Sequence, residues 1–142
     1  MTVASILQNK GHDVVSVDRS HKVADVVELL CKHRIGAVLV IEGGAVEGIV
    51  SERDIIRGLQ DKGSAILDCA VADIMTADLV TVGPDEGLIE ALSLITERRI
   101  RHLPVVEGGK LCGLVSIGDL VKKRIEIIEY EAASLKDYIQ HA

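Results

Sequence analysis

Apolar positions along the chain fall into two spacings. Val23, Val26, Val27 and Leu30 recur at helical intervals, as do Leu88, Ala91, Leu92 and Ile95, and each set predicts one buried helix face. Residues 37–41 and 102–106 are short, nearly continuous apolar runs, the length of buried strands. Gly43-Gly44 and Gly108-Gly109 follow them as hairpin turns, and residues 46–50 and 111–115 return as strands. Residues 14–17 and 79–82 predict two more short strands, each leading into a turn (Asp18-Arg19-Ser20 and Gly83-Pro84-Asp85) that starts a helix. A further helix follows each hairpin, from Glu52 and from Ile117, and the last one runs to about Gln140. Its Val121, Ile125, Ile128, Ala132, Leu135 and Ile139 follow a heptad-like spacing. Packing of this seam onto the chain's own body and onto a second subunit both fit it.

The same order, β-α-β-β-α, therefore occurs twice, and the residues repeat with it. Residues 14–57 align without a gap onto 79–122, with 13 of 44 positions identical, where ordinary usage gives roughly three. A shorter match precedes it, Val3-Ala4-Ser5-Ile6-Leu7 against Val71-Ala72-Asp73-Ile74-Met75. One such unit cannot bury its sheet alone, whereas two can pack around a pseudo-twofold axis. The expected fold class is α/β, with tandem repeats over 3–62 and 71–124 and a C-terminal helical extension over 125–142.

Composition narrows the function. With two Tyr, no Phe and no Trp, the core must be aliphatic. A formal net charge of −6 disfavours a nucleic-acid surface, which needs many cationic phosphate contacts, but leaves room for a small anion held by local Arg residues. No stretch approaches the roughly 20 apolar residues of a membrane span, and the N-terminus lacks the pattern of a signal peptide. Cys31, Cys69 and Cys112 form no CxxC pair or Cys/His cluster, so no metal site is expected. They read as three buried thiols in a reducing cytoplasm.

Polar residues repeat as well, which a core does not require. Gly48-Ile49-Val50-Ser51-Glu52-Arg53-Asp54 matches Gly113-Leu114-Val115-Ser116-Ile117-Gly118-Asp119. Ser51 and Ser116 sit where a strand ends and a helix begins, so Ser with Asp three residues on reads as a capping box. It also reads as a ligand site, and both can hold. A helix start favours an anion, but the Asp would repel a phosphate. A carboxylate instead accepts hydrogen bonds from the paired hydroxyls of a ribose. Nearby, Arg98, Arg99, Arg101 and His102 cluster before the strand at 102–106, with His33, Arg34, Gly36 and Ala37 as their repeat mates. No Ser-His-Asp arrangement or phosphate-binding glycine loop of the Walker type is apparent.

With these residues in view the chain resembles a CBS-domain pair, or Bateman module. The resemblance rests on Ile100-Arg101-His102-Leu103-Pro104-Val105-Val106 and the second Ser-x-x-Asp segment. Gly36-Ala37-Val38-Leu39-Val40 and the first such segment carry it in the other copy, and Val71-Ala72-Asp73-Ile74-Met75-Thr76 resembles the family's lead-in to a second repeat. It covers residues 3–124 and is similar to free-standing bacterial CBS-pair proteins.

The resemblance implies two clefts between the paired repeats that take AMP, ADP, ATP, S-adenosylmethionine or NAD. By it, Asp54 and Asp119 would bind ribose hydroxyls, and Ser51 and Ser116 would line the ribose or phosphate. Arg53 would serve phosphate in one cleft, as would Arg101 with His102 in one cleft. Ile35, Ile100, Met75 and Thr76 would border adenine. Arg34, Arg99 and Pro104 complete the candidate set. Arg53 faces Gly118 across the repeat, and Arg101 and His102 face Gly36 and Ala37, so the clefts should differ. The implied role is a non-catalytic regulatory module, cytoplasmic and homodimeric, that signals to a partner protein without binding nucleic acid or membrane. The competing role is a structural or oligomerisation module with vestigial clefts.

Overall fold

The computed structural model describes residues 1–141, so Ala142, the end of the expected C-terminal extension, lies outside the described residues. The elements run α1 (Val3–Lys10), β1 (Ser16–Val17), α2 (Val23–His33), β2 (Ala37–Glu42), β3 (Ala45–Ser51) and α3 (Glu52–Lys62). Two 3₁₀ turns follow, Gly63–Asp68 and Val71–Asp73, then α4 (Leu88–Arg98), β4 (His102–Glu107), β5 (Lys110–Ser116) and α5 (Ile117–His141). Both Gly-Gly pairs have positive φ, from 57° to 81°, the conformation that hairpin turns of this kind require.

The chain divides into two compact units that do not follow sequence order. One comprises Met1–His12, Thr81–Val106 and 112–141; the other comprises Asp13–Val80 and Glu107–Leu111. Each lead-in segment has thus changed places. In the first unit, α1 joins the second repeat: Val3 N–H donates to Glu86 O at 2.9 Å and Ala4 N–H to Pro84 O at 2.9 Å. In the second unit, the 71–76 segment joins the first repeat. There Val71 N–H donates to His21 O at 2.8 Å, and Ile49 and Thr76 exchange backbone bonds of 3.0 and 2.9 Å.

Glycines at matching strand positions admit these segments. A Cβ on Gly48 would lie 2.8 Å from Met75 Sδ, and one on Gly113 would lie 2.8 Å from Leu7 Cδ2.

In the second unit β1, β2 and β3 form a sheet, with β1 parallel and β3 antiparallel to the central β2. Val17, Val23, Val26, Leu30, Val38, Val40, Val50, Ile55, Ile66 and Val71 bury together beneath it. In the first unit β4 and β5 pair, and Ile6, Leu7, Leu88, Ala91, Ile95, Leu103, Val115 and Leu120 are buried. Every buried hydrophobic is Val, Ile, Leu or Ala, as the lack of aromatics requires.

Three expectations need correction. The strand expected at 79–82 reduces to a single bridge, Val82 with Val105, because Gly83-Pro84 follows at once and proline has no N–H to continue pairing. The strand expected at 14–17 shortens to Ser16–Val17, although Val15 O still accepts Leu39 N–H at 3.2 Å. The thiols are not all buried: Cys31 is exposed, while Cys69 and Cys112 are half-buried. Cys31 lies one residue beyond Leu30, which turns it about 100° off the buried face of α2. The last helix outlasts its expected end by one residue, and its seam is uncovered: Ile125, Ile128, Leu135 and Ile139 are 47–65% exposed.

Candidate functional site

Each Ser-x-x-Asp segment folds as a reciprocal cap. Ser51 has extended geometry (φ −110°, ψ 168°) and ends β3, so its side chain turns back over the first turn of α3. Its Oγ accepts Asp54 N–H at 3.4 Å, and its own N–H donates to Asp54 Oδ2 at 2.8 Å. In the first unit Asp119 N–H donates to Ser116 Oγ at 3.1 Å, and Ser116 N–H donates to Asp119 Oδ2 at 2.8 Å. Both aspartates are half-buried.

The first N–H of each helix is also engaged. Glu52 N–H donates to Gly36 O at 3.0 Å and Ile117 N–H to Arg101 O at 2.8 Å. Two donors that a bare anion would use are therefore taken at each helix start. What remains attractive is an acceptor, the carboxylate.

These two bonds also carry the loops bearing the other candidates to the caps. Ile35 adjoins Gly36 at the start of α3, and Ile100 adjoins Arg101 at the start of α5; both Ile residues are half-buried. Arg34 and Arg99 hold the left-handed conformation, at φ 54° and 56°, where α2 and α4 end. Leu30 O and Ile95 O accept the N–H groups of Ile35 and Ile100, both at 3.1 Å, which closes each turn in the manner of a Schellman motif. Arg34, Arg53, Arg99 and Arg101 are exposed, His102 is half-buried, and Pro104 is buried in β4 with its carbonyl accepting Val82 N–H at 3.1 Å.

The lead-in segments complete the two carboxylates differently. Thr76 Oγ1 donates to Asp54 Oδ1 at 3.1 Å, and Met75 packs against the core at Gly48. On Asp119 the partner is Lys10, whose Nζ lies 2.7 Å from Oδ2 and 2.7 Å from Leu114 O. His12 Nδ1 lies 2.9 Å from Cys112 O, which pins the same segment to β5. Burial pushes the Asp119 carboxyl up, but Lys10 and the Ser116 N–H and hydroxyl outweigh it, and the net pKa falls below the usual value.

The candidates thus gather into two groups. Arg34, Ile35, Ser51, Arg53, Asp54, Met75 and Thr76 belong to one unit, and Arg99, Ile100, Arg101, His102, Pro104, Ser116 and Asp119 to the other. Lys10 was missed by sequence reasoning. The lead-in alignment ends at Leu7, and no pattern in the chain announces a contact 109 residues away.

Elsewhere, Asp18, Ser20 and His21 cluster at the turn before α2. The Ser20 hydroxyl donates to Asp18 Oδ1 at 2.6 Å, as does its N–H at 2.9 Å, so the carboxylate and not the imidazole holds the hydroxyl. Among the described residues no acidic, Cys or His cluster could hold a metal, and no helix is long and apolar enough to cross a membrane.

Comparison with known proteins gives a consistent result. The family model for the CBS domain matches residues 3–61 and 71–126. The mitochondrial CBS domain-containing protein CBSX3 of Arabidopsis thaliana is 34% identical, over 98% of this chain and 72% of its own length. The crystal structure of a CBS-domain protein from Agrobacterium tumefaciens superposes with a TM-score of 0.85 at 37% identity, covering 87% of this chain and 99% of that one. At 21% identity, the CBS domain pair of MJ0100, solved with 5′-methylthioadenosine and S-adenosyl-L-methionine, has the same fold with a TM-score of 0.76, covering 86% and 94%.

Proposed function

The chain belongs to the CBS-domain family, and from that premise we propose that it is a non-catalytic regulatory module that binds an adenosine nucleotide (AMP, ADP, ATP or NAD) and passes its occupancy to a partner protein. The observation that carries this reading is the duplicated carboxylate. Asp54 and Asp119 each stand half-buried at a helix start where backbone donors are already engaged. Such a group suits a ribose diol better than a bare anion.

Around it, Ser51 and Ser116 would line the sugar. Arg34, Arg53, Arg99, Arg101 and His102 would supply charge for phosphates, and Ile35, Ile100, Met75 and Thr76 an edge for adenine. The fold itself accommodates adenosine compounds in the MJ0100 pair. Regulation requires that the ligand bind two states of the protein unequally. The uncovered seam of α5 supports a homodimer as the working form.

The test is direct. Purified protein is denatured and filtered, and the filtrate is read by mass spectrometry. Calorimetry is run in parallel with AMP, ATP and NAD. An adenine compound in the filtrate, or a saturable isotherm, is expected. The chain has two Tyr and no Trp, so bound adenine should also dominate absorbance near 260 nm. An empty filtrate with three flat isotherms leaves the structural module with vestigial clefts as the better reading.

A further inference from the structure

The two Ser-x-x-Asp boxes match in sequence and in their capping bonds, yet differ in what the lead-in segment places on the carboxylate. On Asp54 it is a neutral hydroxyl, that of Thr76, whose N–H also donates to Ile49 O at 2.9 Å. Leu114 is the repeat mate of Ile49. On the Asp119 side one ammonium makes both kinds of contact, bonding Leu114 O and Asp119 Oδ2 at 2.7 Å each. The difference arises from chain geometry. α1 continues to Lys10 before Gly11 ends it at φ 101°, whereas its counterpart is a single 3₁₀ turn, Val71–Asp73, that leads directly into the pairing of Thr76.

We propose that Lys10 is the specificity-determining residue of the Asp119 box, a cationic latch that holds the carboxylate against an incoming ribose diol. The proposal rests on the nucleotide reading above and assigns the two boxes unequal roles within it. A diol displaces the Thr76 hydroxyl from Asp54 by exchanging one neutral donor for another. To engage Asp119 it must displace or share an ion pair, in which the donor as well as the acceptor carries charge. The Lys10 and Asp119 side chains are 38% and 25% exposed, so water only partly screens the pair. The Asp54 box therefore fills first, and the Asp119 box fills when Lys10 is drawn away.

The experiment has two arms. In the ligand-free protein, carboxyl NMR follows Asp119 through an acid titration in wild type, Lys10→Met and Lys10→Arg. Loss of the ammonium should raise the Asp119 pKa, and Lys10→Arg should restore the wild-type behaviour. In the second arm, calorimetry with adenosine, which has no phosphate to attract Lys10, compares Asp54→Ala with Asp54→Ala/Lys10→Met. The added Lys10→Met should tighten adenosine about fivefold, the scale of one such ion pair, and should not tighten 2′-deoxyadenosine.

An Asp119 titration unmoved by Lys10→Met overturns the latch. So does adenosine binding that is unchanged or weaker in the double variant. Adenosine binding to no variant, with AMP also silent in the wild type, overturns the latch and the nucleotide reading together. Adenosine binding with no effect of Lys10 overturns the latch alone.

Discussion

Gly48 lies so close to the 75–76 segment that a Cβ there would stand 2.8 Å from Met75 Sδ and 3.0 Å from the Thr76 carbonyl oxygen. The thioether can move aside, but the carbonyl belongs to backbone paired with Ile49. At the matching Gly113 the nearest atoms all belong to the Leu7 side chain, its two methyl carbons first. Gly48→Ala should therefore cost more than Gly113→Ala, by about 1–2 kcal/mol, as overpacking against backbone does. It should also disturb the Thr76–Asp54 bond. Urea unfolding of both variants checks the order, and equal losses would mean that the Thr76 backbone yields as readily as a leucine methyl.

The repeat, the Gly-Gly hairpins and the Ser-x-x-Asp caps were legible because each is local. They rest on periodicity, positive φ or a three-residue spacing. The exchange of lead-in segments was not. Val3–Leu7 and Val71–Met75 resemble each other, and likeness does not say which repeat each one joins. Only tertiary pairing, such as Val3 with Glu86 and Thr76 with Ile49, decides that. Lys10 follows from the exchange, since it reaches Asp119 only because α1 belongs with the second repeat. The strand expected at 79–82 failed for the opposite reason: apolar composition outweighed the Gly83-Pro84 punctuation beside it.

Arg34 occupies a left-handed position that glycine holds more cheaply, at a difference of roughly 1 kcal/mol. Arg34→Gly should raise the unfolding free energy by about that amount. If the guanidinium serves a ligand's phosphate, the same change should weaken AMP while leaving adenosine unaffected. A variant both more stable and unimpaired toward AMP would remove Arg34 from the site.

The carboxyl of Asp18 is lowered from 3.8 to about 2 by the Ser20 hydroxyl, the His21 ring and the Ser20 N–H, in that order. A depressed folded-state pKa means stability that is present above the unfolded value, near 4, and lost as pH falls toward about 2. Asp18→Asn should therefore narrow its stability gap to wild type across that window. Ser20→Ala should move the Asp18 titration, followed by carboxyl NMR, back toward the ordinary range. A titration unmoved by Ser20→Ala would assign the shift to His21 and the Ser20 N–H instead.

The seam of α5 carries its own test. Truncation after Arg124 removes Ile125, Ile128, Ala132, Leu135 and Ile139, all exposed in the single chain. Few buried contacts of the chain itself are lost, so the truncated protein should stay folded and lose only the helix signal of the deleted part of α5. Its self-association, measured by light scattering across a concentration series, should weaken. An undiminished dimer would locate the contact elsewhere, with the exposed Ile56 and Leu59 of α3 the next residues to change.

Asp54 separates capping from ligand chemistry. As a cap alone, Asp54→Ala costs about 1 kcal/mol of stability and leaves ligand discrimination untouched. As a ribose acceptor it should sense the sugar hydroxyls. A hydrogen bond to a charged group contributes roughly 1.5–3 kcal/mol, so AMP should bind at least about tenfold tighter than 2′-deoxy-AMP. Asp54→Ala should then weaken AMP strongly and 2′-deoxy-AMP much less, because the deoxy ligand has already lost one donor. The difference between the two losses is the coupling energy between that hydroxyl and that carboxylate. The same pair of ligands on Asp119→Ala should give a smaller coupling, since the wild-type Asp119 shares its charge with Lys10. Equal losses for both ligands in both variants would mean that neither aspartate reads the 2′-hydroxyl, and the Ser-x-x-Asp boxes would revert to helix caps.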